Sequence, residues 1–374
     1  MSNALALPAA TDVVSPEVKR YQRQKLTIRL ISLVLSLSFL AFIALWAGPR
    51  IDQALRQLVG DSPWLRLLGI LIVCGAGMEL LTLPLDFWSS YVLEHRYQLS
   101  NQTLLGWTKK HLTGWLVGGL IGVPLMFGLF ALLRFTEPWW LWATVGWLAV
   151  TLVLGRLAPV LILPLFYKVT PLDDPALRER LTQLVEKTGL TLEGVYRLHL
   201  SAETRKANAA LTGLGRSRRV LLGDTLLEQF TPDEIEVVFA HEVGHHVHHH
   251  LPKMVAISVV LSTVGFWLID LVLRGLAKPL GYEAFNDPAA LPLALLVLTV
   301  SGLTLGPAQN ALSRFFERQC DRYALDRTGL RDAYRSAFSK LATINKSDPD
   351  PNPWVVWLFY DHPPIKERIA MAGE

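Results

Sequence analysis

Six windows in this chain are long and apolar enough to cross a bilayer, and no other feature restricts its fold as tightly. They run over about residues 26–47, 64–85, 112–135, 139–166, 254–277 and 291–312. Hydrocarbon offers no partner for a backbone N–H or C=O, so each crossing must be a helix that bonds to itself. The bulk properties agree. Of 374 residues 51% are hydrophobic and twelve are Trp, and the mean hydropathy is positive. That balance excludes an ordinary soluble enzyme. The first window is too long for a removed signal peptide and lacks a small-residue cleavage site, so it is read as a retained span. The expected class is a mainly α, multi-pass membrane helical protein of about six spans.

Charge placement orients the spans. Lys19, Arg20, Arg23 and Lys25 precede the first. The loop after it is nearly balanced, with Arg50, Asp52, Arg56 and Asp61. Six arginines follow the last, between Arg314 and Arg335. By the positive-inside rule both termini face the cytoplasm, and an even number of spans fits. These charges flank spans, so they read as topology markers and not as a nucleic-acid surface. Two cysteines, Cys74 in a span and Cys320 beyond the last one, give no disulfide framework.

Between the fourth and fifth spans lies the main soluble stretch. "DDPALRERLTQLVEKTG" reads as an amphipathic helix closed by Gly189. "GVYRLHL", "NAALTG" and "RRVLLGD" then read as short strands of a small β-sheet. The expected organisation is a tail over 1–25, a membrane domain of four spans over 26–166, and a domain over 167–374 interrupted by spans at 254–277 and 291–312.

A helix that begins at Thr231 carries the chemistry. "TPDE" gives Thr231 as N-cap, Pro232 at the first position and Glu234 for a capping box. "HEVGHHVHHH" follows, with six of the chain's ten histidines. His241 and His245 are four apart, so their rings share a face and suit one zinc ion. Glu242 beside them is placed to take the proton of an attacking water. "RFFERQCD" offers Glu317 as third ligand, with Asp321 one turn on to hold the second nitrogen of a ligand histidine. Two crossings separate His245 from Glu317, so the chain returns to the face it left. The expected domain is a gluzincin-like zinc peptidase domain containing the small sheet. On an unbroken helix His246 points ~140° and His250 ~180° from His241, while His248 lies ~10 Å further along the axis. His246, His248, His249 and His250 are therefore read as a polar collar at the membrane surface, with Pro252 disturbing the helix beyond them.

From about residue 83 onwards the chain resembles the type I CAAX prenyl proteases, integral-membrane zinc endopeptidases, and their bacterial relatives. The resemblance rests on "LPLDFWSSYVLEHRYQLSNQT", "PLFYKVTPLDDPAL", "NAALTGLGRSRRVLLGDTLL", "HEVGH", "SRFFERQCD" and "DHPPIKERI", in that order. It implies one Zn2+ per chain on His241, His245 and Glu317, with Glu242 as general base and then general acid, and Asp321 orienting a ligand histidine. It implies that Asn208 and Ala209 belong to an edge strand that pairs with the substrate backbone. It also implies that His362 and Arg368 approach the scissile carbonyl and its developing oxyanion. Cys320 stands where the family usually has Ala, a change between small residues that leaves the site intact, and a shorter chain with six spans instead of the seven of eukaryotic members points to a bacterial-type relative.

The expected function is peptide-bond hydrolysis at the cytoplasmic face of the bacterial inner membrane, or of the endoplasmic reticulum in a eukaryote. Expected partners are prenylated or membrane-associated peptide or protein substrates and membrane lipids, with no nucleic acid. Two other readings stand beside it: a heat-shock-type quality-control protease with the same zinc core, and a zinc transporter. Glu79 and Arg156, inside the second and fourth windows, are read either as an ion pair or as lining a hydrated chamber.

Overall fold

The computed structural model describes residues 15–186, 188–190, 192–213 and 218–373. Its membrane part opens with α1 (Pro16–Phe42), which passes through a wide π-turn (Ile43–Ala47) into α2 (Gly48–Val59). Next come α3 (Pro63–Phe87), a second π-turn and the short α4 (Leu93–Arg96), then α5 (Leu104–Phe135). A fourth crossing is α6 (Trp139–Leu157), continued by a π-turn and α7 (Leu163–Phe166). After β1 (Val169–Pro171) come α8 (Pro175–Glu186), β2 (Gly194–Leu198), β3 (Ala209–Thr212) and β4 (Arg219–Gly223). They are followed by α9 (Asp224–Gln229) and α10 (Pro232–Val247). The last two crossings are α11 (His250–Leu276) and α12 (Leu291–Thr328), and the chain ends with α13 (Arg331–Ile344), α14 (Pro353–Phe359) and α15 (Ile365–Met371). Among the described residues six helical stretches are long and apolar enough to cross a membrane.

The crossings stand in a ring. α1 packs on α3, α3 on α5, α5 on α6, α6 on α11, α11 on α12, and α12 returns to α1. At most 22% of any crossing's most apolar window is buried, so most of each crossing's apolar surface is left outside the protein's own packing. One end of the ring is closed. Arg66, 4% exposed, donates from Nε to Asp52 Oδ1 (2.6 Å) and from Nη2 to Asp287 Oδ1 (2.7 Å). Beneath it Trp139, Ala44, Ile70, Leu273 and Leu293 form an apolar floor. Removing one member of a buried pair strands the other charge. Arg66→Met is expected to destabilise the detergent-solubilised protein by about 3 kcal/mol. Thermal unfolding checks this, and an unchanged midpoint counts against the network.

Two sequence expectations need correction. Residues 16–25, assigned to a tail, are the first turns of α1. Their Tyr21 is buried and donates to Glu94 (2.8 Å), which also pairs with Lys25 (2.6 Å) and Lys206 (2.8 Å). Residues 1–14 lie outside the described residues. Second, Glu79 does not meet Arg156. Helix α5 stands between α3 and α6 in the ring, and Glu79 pairs with its His111 at 2.6 Å. Arg156 is exposed in the last turn of α6.

At the other end of the ring a four-stranded sheet runs in the order β1-β2-β4-β3. β2 and β4 are parallel, and β1 and β3 flank them antiparallel, with Ala209 opposite Leu222 and Thr212 opposite Arg219. β3 is thus an edge. The three-residue β1 was not legible as a strand, and residues 214–217 of the β3–β4 hairpin lie outside the described residues. The sheet packs on α8 and α10 through Leu181, Val220, Leu222, Phe239 and Val243, all fully buried or nearly so.

Candidate active site

Helix α10 is started by the expected capping box. Thr231 Oγ1 accepts from the Glu234 N–H (3.3 Å), and Glu234 Oε2 accepts from the Thr231 N–H (2.7 Å). Glu234 also accepts from Lys340 (2.7 Å) and Ser336 (2.5 Å). Burial would raise its carboxyl, but these donors outweigh it and hold it low. The helix then presses on α12. A Cβ on Gly244 would lie 3.0 Å from Cys320 Cα, so glycine on one helix and a small residue on the other set the close approach.

That approach brings three donors together from two helices. His241 Nε2 lies 3.1 Å from Glu317 Oε2, and His245 Nε2 lies 3.2 Å from Glu317 Oε1. One donor atom from each residue falls within 4.8 Å of the others. Glu317 is 4% exposed, and its Oε2 receives no hydrogen bond. A buried carboxylate oxygen left bare among imidazole nitrogens is the mark of a cation site. Behind it, His241 Nδ1 donates to Asp321 Oδ1 (2.9 Å). Burial works against a charged His241, yet Asp321 and Glu317 draw its pKa up to about 9.

The remaining expected residues fall as follows. Glu242 faces a cleft of about 370 Å³ lined also by Asn208, Ala209, Tyr360 and His362. His362 reaches into it, with Nε2 3.4 Å from Glu317 Oε2 and Nδ1 2.8 Å from Asp361 Oδ1, which raises the imidazole's pKa. Arg368 borders the same cleft. It is 6% exposed, lies over the Phe338 ring, and donates to Asp321 from Nε (2.9 Å) and Nη2 (2.6 Å). Its guanidinium comes no nearer to Glu317 Oε2 than 4.0 Å.

The later histidines do not form one collar. His249 adopts a left-handed conformation (φ 55°), and the helix breaks there, ahead of Pro252. His246 turns toward Leu211 of β3, and burial pushes its pKa down to about 4. His250, 1% exposed, turns back against His245. Its place was not legible, nor was that of Arg314, which donates to the carbonyls of Val356 (3.0 Å) and Tyr360 (2.5 Å) and so holds the His362 loop.

A ring of membrane helices with a two-histidine, one-carboxylate centre at one end, and a glutamate beside it, defines a membrane-embedded metallopeptidase. Residues 171–374 match peptidase family M48. Residues 11–168 match the family of CAAX prenyl protease N-terminal regions, described as having five membrane helices. Four crossings fall there in this chain, among the described residues. The chain belongs to the M48 peptidases, in the branch of the CAAX prenyl proteases. It is 30% identical to an uncharacterized metalloprotease of Bacillus subtilis, YhfN, over 89% of this chain and 80% of that one. It is 28% identical to CAAX prenyl protease 1 of Saccharomyces cerevisiae, over 78% of this chain and 68% of that one. The crystal structure of S. mikatae Ste24p superposes with a TM-score of 0.84 at 26% identity, covering 95% of this chain and 87% of that one. The protein is a peptide hydrolase of the membrane, which decides against the transporter reading.

Proposed function

We propose that this chain is a zinc endopeptidase that cleaves prenylated or membrane-associated peptides at the cytoplasmic face. One Zn2+ per chain is held by His241, His245 and Glu317. The observation that carries the reading is the bare, buried Glu317 Oε2 between two imidazoles. Zinc bound there would supply Lewis acidity, the chemistry that makes water nucleophilic near neutral pH. Glu242 takes the proton of the attacking water and passes it to the leaving amine. His362, drawn toward its charged form by Asp361, donates to the oxygen that gains charge. Arg368 serves this reaction through Asp321, which fixes the His241 ring. The substrate adds a strand along the edge of β3, where Asn208 and Ala209 border the cleft beside Glu242.

Membrane orientation follows from the basic flanks. Lys25 and Lys206 meet at Glu94 on the same end of the ring as the active site. Both termini and the site then face the cytoplasm, at the inner membrane of a bacterium or the endoplasmic reticulum of a eukaryote. A cleavage assay on the purified protein, with farnesylated CAAX peptides against unmodified membrane-protein segments, tests the substrate class. The expected result is a higher kcat/KM for the farnesylated peptides. Equal cleavage of both sets would move the substrate to membrane-protein segments, as in quality control. No cleavage of either would sink the proposal.

A further inference from the structure

We propose that His250 is a positioning residue for the metal centre. It acts by fixing the tautomer and ring plane of His245, through a relay that ends on Gln319. This rests on the reading above that His245 Nε2 binds zinc.

The relay follows from three contacts and one rule of imidazole chemistry. A ligand nitrogen must be bare, so with Nε2 toward the metal the hydrogen of His245 sits on Nδ1. That Nδ1 faces His250 Nδ1 at 3.2 Å. Two ring nitrogens share a hydrogen bond only if one of them is bare, so His250 must carry its hydrogen on Nε2. His250 Nε2 lies 2.9 Å from Gln319 Oε1, which accepts only. Each step is consistent with the next: His245 Nδ1–H donates to His250, and His250 Nε2–H donates to Gln319. The ring is held in plane by stacking on Phe316, with centroids 4.2 Å apart and an angle of 15°. The left-handed His249 places it there, because on a continuous helix His250 would face ~180° from His241.

The two ligand histidines are thus supported differently. His241, with 7% of its side chain exposed, is backed by the Asp321 carboxylate. His245, with 29% of its side chain exposed, is backed by a neutral imidazole. A ring with solvent on one side has more freedom to rotate, and it needs a directional partner to keep Nε2 on the metal. The same neighbourhood admits a competing arrangement. His245, His250 and Cys320 place one donor atom each within 4.8 Å, with Cys320 Sγ 3.5 Å from His250 Nδ1. A metal there requires His245 to bind through both ring nitrogens, which the positioning role does not.

The test measures zinc affinity by chelator competition, and the visible spectrum of the cobalt-substituted protein, in five variants of the full chain. His250→Leu removes the acceptor and is expected to weaken zinc binding about 10–100-fold and to shift the cobalt bands. His250→Asn restores an acceptor near the Nδ1 position and is expected to recover most of the affinity and the native spectrum. Gln319→Leu, at a partly exposed site, frees His250 to turn its hydrogen toward His245 and is expected to fall between them. His245→Ala is the control. If it keeps zinc, the zinc assignment itself fails. If it loses zinc while His250→Leu and Gln319→Leu bind as the wild type does, only the positioning role fails. Two zinc equivalents per chain, falling to one in Cys320→Ala, would also overturn it. If His250→Leu does not fold, Gln319→Leu and His250→Asn decide.

Discussion

Replacing Glu242 with Gln is expected to lower kcat about 10³-fold while one zinc per chain is retained. The side chains are nearly isosteric, and Glu242 is not among the residues whose donor atoms converge on Glu317. What is lost is the capacity to accept a proton from water and return it to the leaving amine. KM should change little, because the group acts on the reacting atoms and not on the substrate strand along β3. Metal content by mass spectrometry and steady-state kinetics on the same preparation check both halves. A variant that has lost its metal yet still cleaves would falsify the assignment.

The second large effect is on folding. Arg368→Met removes the guanidinium that pairs with Asp321, which is 0% exposed. A carboxylate stranded at that depth costs about 3–5 kcal/mol. Asp321 keeps the His241 N–H as a partner, so the loss should be greatest when a chelator has stripped the zinc and His241 is free to turn. Replacing Asp321 together with Arg368 by apolar residues should return much of the stability but not the activity, because His241 then lacks its acceptor. Thermal unfolding with and without chelator separates the cases. A single Arg368→Met chain as stable as the wild type would rule out the buried pair as a support.

The features legible in the sequence share a short range. The capping box at Thr231, the pair His241 and His245, and Glu317 with Asp321 are each set by spacing along one helix, and helical periodicity holds over such distances. The six spans are legible because hydrocarbon admits so few solutions. What escaped depends on facts that spacing does not carry. His250 was placed by helical arithmetic on a helix assumed continuous, and one left-handed residue, His249, reset the phase. Pro252 hinted at a break, but not at its position. The partner of Glu79 depends on the order of helices around the ring, which membrane depth does not reveal. The pairing of Arg368 with Asp321 follows from how α15 docks on α12, and a motif records identity without partners.

The wide separation of the donors has a further consequence. His245 and Glu317 lie seventy-two residues apart, and the whole α11–α12 hairpin passes through the bilayer between them. A growing chain that has made His241, Glu242 and His245 still lacks its third donor. It gains that donor only when α12 has crossed back to the side that α11 left. The hydrolytic centre is therefore a readout of completed insertion. A polypeptide stalled halfway into the bilayer, or with this hairpin inverted, is expected to show no peptide hydrolysis.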